Sequence, residues 1–79
     1  MNVREVFEAT YDARRAQMKG SDPTKIWASP LAMQLLREEL KRSADTTMTN
    51  DEIDKEQLLV GGAPISVEET WKGFRLEAN

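Results

Sequence analysis

Thr24-Lys-Ile-Trp-Ala-Ser-Pro-Leu-Ala-Met-Gln-Leu-Leu-Arg-Glu-Glu-Leu-Lys-Arg42 is the stretch on which the fold turns. Its first five residues favour β structure but leave room for only a brief strand. Ser29 then serves as a helix cap and Pro30 takes the first helical position, where its fixed φ and missing N–H cost nothing. The helix runs to Arg42, with Glu38 and Arg42 spaced as a supporting pair. It carries two apolar stripes. Met33, Leu36 and Leu40 form one, while Leu31 and Leu35 form another, separated from the first by Glu39. The first stripe is expected to face the main core. The second packs either under the N-terminal helix or in a protein interface, and the small core favours the former.

Working outward, residues 1–20 form an N-terminal helix. Asn2 is placed to cap it, with Glu5 three positions on. Val3, Val6, Phe7, Thr10, Ala13 and Met18 fall on one arc, with Tyr11 at its edge. Gly20-Ser21-Asp22-Pro23 stops the helix. Residues 43–56 form a polar, acidic loop in which Thr49 and Glu52 make a second capping box, implying one helical turn over 50–56. Residues 57–77 read as β. Gln57-Leu58-Leu59-Val60 is a short strand, Gly61-Gly62-Ala63-Pro64 a corner, and residues 65–69 a strand. Thr70-Trp71-Lys72-Gly73 resembles a hairpin turn into an alternating strand over 74–77. The expected fold is a single α+β domain over 1–79. Two helices pack on a small, mainly antiparallel sheet that ends in a C-terminal β-hairpin, in the order α-β-α-β-β-β.

Composition narrows the chemistry. The 79 residues contain no cysteine and no histidine. This removes disulfides, thiolate metal sites, and the commonest general base and metal ligand. The net charge is −3, unevenly spread. Residues 1–43 hold eight Lys/Arg against six Asp/Glu, a net +2, and residues 44–79 hold three against eight, a net −5. Neither half carries the basic patch that a phosphate backbone requires, so direct nucleic-acid binding is not expected. The start of the chain has no apolar signal region and no run is long enough to span a bilayer. A protein made without export is expected.

Each motif that suggests chemistry has a simpler reading. Asp45 to Glu56 has the length and the acidic ends of a calcium loop. However, it places Thr at positions three and five and Asn50 where Gly is required. Gly61-Gly62 lacks the Lys and Ser/Thr of a phosphate loop and leads into a strand rather than a helix. Glu68 and Glu69, adjacent on a strand, point to opposite faces and cannot act on one substrate. Ser29, Ser43 and Ser66 have no histidine to activate them. No catalytic residue, metal ligand or cofactor is assigned. Trp27, just before the cap, is expected in the core, whereas Trp71 is balanced between core and interface.

Ile26-Trp-Ala-Ser-Pro30, the helix ending Leu36-Arg-Glu-Glu-Leu40, Leu59-Val-Gly-Gly-Ala-Pro-Ile-Ser-Val67 and Gly73-Phe-Arg-Leu-Glu77 together resemble a pattern in tailed-bacteriophage proteins. There a strand leads through Ser/Asn-Pro into a helix, and an acidic loop precedes a Leu-x-Gly-x-Pro-Ile/Val-x-Val strand and a closing strand. The resemblance covers residues 24–77. This chain departs from it by one extra residue before Pro64 and lacks the length of a shell-forming subunit. The resemblance implies a small phage structural or accessory protein and supplies no catalytic residues. The expectation is therefore a non-enzymatic protein-binding or structural protein, acting as a homo-oligomer or docked on a virion assembly, in the host cytoplasm or the virion. Leu31, Leu35, Trp71, Phe74 and Arg75 are the candidate interface. The alternative is an acidic inhibitor that occludes a host protein or nucleic-acid-binding surface. Asp45, Asp51, Glu52, Asp54 and Glu56 would then form its contact face.

Overall fold

A computed structural model describes residues 2–43 and 47–79. Helix α1 spans Val3–Gln17, strand β1 Ile26–Ala28, helix α2 Pro30–Arg42 and helix α3 Asn50–Lys55. Strands β2, β3 and β4 span Leu59–Val60, Ala63–Val67 and Leu76–Ala78. The strands form one sheet in the order β2-β3-β1-β4. Strand β1 runs parallel to β3 and antiparallel to β4, and β2 runs antiparallel to β3. The α+β class and the two main helices on a small sheet are as the sequence implies.

The hairpin lies elsewhere. Strands β3 and β4 do not pair, because β1 sits between them. The segment joining them crosses the C-terminal end of β1, where the Glu68 N–H donates to the Ala28 carbonyl (2.9 Å) and the Ser29 N–H to the Arg75 carbonyl (2.9 Å). The tight hairpin is β2–β3, closed by Gly61 and Gly62 at φ +56° and +87°. Positive φ at both turn residues matches the twist of the flanking strands and is cheap for glycine. The Tyr11 ring seals this turn. A Cβ on Gly61 would lie 2.6 Å from it, and the Tyr11 hydroxyl donates to the Gly61 carbonyl at 3.1 Å.

Local capping is as the sequence indicates. Asn2 Oδ1 accepts from the Glu5 N–H at 2.8 Å, Ser29 Oγ from the Ala32 N–H at 3.2 Å, and Thr49 and Glu52 form a complete capping box. Glu38 accepts from Gln34 at 3.2 Å, one turn before it on the helix. The α1 N-terminus has a further cap from outside its own helix. The Glu39 carboxylate of α2 accepts from the N–H groups of Val3 (3.2 Å) and Arg4 (2.7 Å). A carboxylate there satisfies unpaired donors and complements the helix dipole.

The core lies between the helices and one sheet face. Phe7, Tyr11, Ile26, Ala28, Ala32, Met33, Leu36, Leu58, Val60, Ala63 and Ile65 form it. On α1 the buried residues are Phe7 and Tyr11, while Ala13 is exposed, so Tyr11 is central rather than marginal. Helix α3 packs against α2, fully burying Ile53. Residues alternate along β1, so Ile26 and Ala28 face the helices and Trp27 turns to the other side. Trp27 is therefore half-buried on the open face and not in the core.

Candidate protein-binding surfaces

Ser29 organises the end of the sheet where the first candidate surface lies. It is fully buried, and its hydroxyl accepts from the Ala32 N–H at 3.2 Å and the Arg75 N–H at 3.0 Å. With the Ser29 N–H donated to the Arg75 carbonyl, these bonds lock the start of α2 to the lead-in of β4. Leu31 lies two residues past Ser29, and Phe74 lies one residue before Arg75. Both are thereby held at one end of the sheet, and both are exposed, at 41% and 42%. The Arg75 guanidinium stacks over the half-buried Trp71 ring, 4.1 Å from its centroid, and also pairs with Glu77 at 2.9 Å. Stacking flattens a long side chain against an aromatic face and reduces what it loses on binding.

The start of α2, with Leu31, and the Trp71–Arg75 segment thus flank the same Ser29–Arg75 backbone junction. Leu35 follows one turn further along α2, half-buried and outside the core cluster. Leu31 and Leu35, the second stripe of α2, lie outside the buried core cluster. Trp71 is divided between the two expectations, with one ring face against Arg75. On the open sheet face, Trp27 lies across from Ser66 and Glu77, with Lys25 Nζ 4.7 Å from its ring centroid.

Described members of the acidic set border two different depressions. Glu52 and Glu56 border a groove between α1, α2, α3 and β2. Asp54 and Glu69 border a different depression beside Arg37 and Lys41. Asp54 is paired with Lys41 at 2.7 Å, and Glu52 is engaged by Thr49. Asp51 is exposed in the first turn of α3, and Asp45 lies outside the described residues. Glu68 caps the turn after β3, accepting from the Thr70 hydroxyl (2.8 Å) and N–H (3.2 Å). Those bonds, the hydroxyl's foremost, hold its carboxyl below the usual range.

Among the described residues, no group of three or more acidic, His or Cys side chains is placed to hold a metal ion. From Asn50 to Lys55 the stretch that resembles a calcium loop is helix. No helix among the described residues is long and apolar enough to cross a membrane.

The sequence did not single out Leu59, which is 60% exposed on edge strand β2. Its one sequence signal is Pro64, the residue opposite it, which has no N–H to give and so suits a pair without ladder bonds.

Comparison with protein-family models, curated proteins and solved structures finds no match for this chain.

Proposed function

We propose that this chain is a non-catalytic protein-binding domain, acting as an oligomer or docked on a larger assembly. The observation that carries the reading is the exposure of Leu31 and Phe74 beside the Trp71–Arg75 stack, on segments tied together by the bonds of the buried Ser29 to Arg75. Apolar side chains with an aromatic–Arg pair on a rigid support have the composition of an interface centre. Preorganisation lowers the entropy lost on association.

The residues that invited catalytic readings are occupied structurally. Ser29 is a buried cap and Glu68 closes a turn. The resemblance of residues 24–77 to tailed-phage proteins supports placing the domain on a virion or phage-encoded assembly, in the virion or the host cytoplasm. The acidic-inhibitor alternative has less support, since its carboxylates divide between two sides of α3 and one is neutralised by Lys41.

The test is the double substitution Leu31→Lys, Phe74→Lys, compared with wild type in quantitative affinity capture from the native source and in light scattering. The expected result is an unchanged circular dichroism spectrum with loss of self-association or of the captured partner. Undiminished binding by the folded double variant would overturn the proposal.

A further inference from the structure

The groove at the other edge of the sheet has its own chemistry, independent of the Ser29–Arg75 junction. Strand β2 is an edge strand. Its bonds to β3 flank Leu59, since the Ile65 N–H donates to the Leu58 carbonyl at 3.0 Å and Val60 faces Ala63 across the turn. Opposite Leu59 stands Pro64. In an antiparallel ladder this alternation turns the Leu59 N–H and carbonyl away from the sheet. The Gln57 amide, donating to the carbonyls of Leu58 (3.1 Å) and Ile65 (2.7 Å), fixes the approach to the strand.

Beside this edge opens a groove of about 610 Å³. Its floor is the buried Phe7, Leu36 and Leu58, and the half-buried Leu40 and Met48 are its accessible apolar wall. Its charged border is unbalanced. Among the described residues, Glu8, Glu52 and Glu56 stand there against Arg4, and Arg4 is paired with Glu8 at 3.5 Å. The volume falls within the roughly 300–1,000 Å³ range of ligand sites. An outward peptide group at an edge and an apolar wall for a side chain suit strand addition, and the acidic border suits a positively charged chain.

We propose that this groove binds an extended peptide segment of a partner protein, with an apolar side chain flanked by lysine or arginine. The segment adds to β2 through the Leu59 N–H and carbonyl. Its apolar side chain packs against the half-buried Leu40 and Met48, and its cations face Glu8 and Glu56. With so short a strand, the backbone bonds set direction, while charge and apolar contact set affinity.

The probe is a short capped peptide with one leucine flanked by lysines, titrated into isotope-labelled full-length protein and followed by amide chemical shifts. The expected result is saturable shifts centred on Leu36, Leu40 and Leu59. Binding should weaken at least about tenfold in Glu8→Lys, Glu56→Lys and for a peptide with glutamates in place of the lysines. Both substituted positions are exposed, so the fold should persist. Leu59→Pro, which deletes the outward N–H, should weaken binding in the same way. Equal binding of the acidic peptide, shifts centred away from the groove, or no shifts at all would each overturn the proposal. None of those results bears on the Leu31–Phe74 surface at the opposite end.

Discussion

The hydroxyl of the fully buried Ser29 and the Arg75 N–H meet at 3.0 Å, where the same hydroxyl caps α2. One side chain thus joins a helix start, the end of β1 and the lead-in to β4. Ser29→Ala removes the cap and leaves the Arg75 N–H without its acceptor. The expected loss is about 2–3 kcal/mol in urea denaturation. Ser29→Thr keeps the oxygen and should lose less. A Ser29→Ala variant within about 0.5 kcal/mol of wild type would show that the junction does not hold the fold together.

Gly61 and Gly62 separate two kinds of glycine requirement. Both have positive φ, but only Gly61 lies under the Tyr11 ring, with nothing within 4 Å of a Cβ on Gly62. Gly62→Ala should cost about 1 kcal/mol of backbone strain. Gly61→Ala should cost about 2 kcal/mol or more, because the ring must also move. Equal losses in thermal or urea melts would argue against the close packing of Tyr11 on the turn.

Glu39 and Glu38 are adjacent acids with different duties. Glu39→Ala should destabilise by about 1–2 kcal/mol, since two N–H groups at the start of α1 lose a charged acceptor. Glu38→Ala, which loses only an exposed bond to Gln34, should stay within about 0.5 kcal/mol. Amide exchange at Val3 and Arg4 should quicken in the first variant alone.

Thr70 governs the titration of Glu68. The hydroxyl and N–H of Thr70 lower the folded-state pKa of Glu68 below its unfolded value. The stabilisation is therefore present above the unfolded pKa and is lost as pH falls through the folded one. Thr70→Val, which deletes the hydroxyl bond, should move the Glu68 midpoint upward in a carboxyl-carbon NMR titration. An unmoved midpoint would show that the hydroxyl bond is not made in solution.

The sequence carried what is local. The caps at Asn2, Ser29 and Thr49 depend on partners three residues away, and all three are present. The strand before Ser29 and the glycine corner at 61–62 were legible for the same reason. Sheet order was not. The turn-forming residues at 70–73 fit a hairpin, but β4 pairs with β1, and that choice rests on the distant bonds of Ser29 and Ala28. The side of Trp27 was hidden because a three-residue strand with apolar groups throughout has no polar phase to show which face is buried. Of the candidate interface, the segments of Leu31 and of Trp71 to Arg75, far apart in the sequence, are joined by the bonds between Ser29 and Arg75. Glu52 and Glu56 are separated from Asp54 by the turn of α3, although all three lie within five residues of sequence. Leu59 was overlooked because exposure at an edge is a property of the sheet and not of the residue.

The central claim is that the surface around Leu31 and Phe74 binds protein, and site-specific photocrosslinking tests it most directly. A photoreactive residue placed in turn at Leu31, at Phe74 and at the exposed Ala16 of α1 would be irradiated in a lysate of the native source. The expected result is a discrete, saturable adduct from positions 31 and 74, competed by unlabelled wild-type protein, and none from position 16. Adducts from positions 31 and 74 no stronger than those from position 16 would contradict the claim.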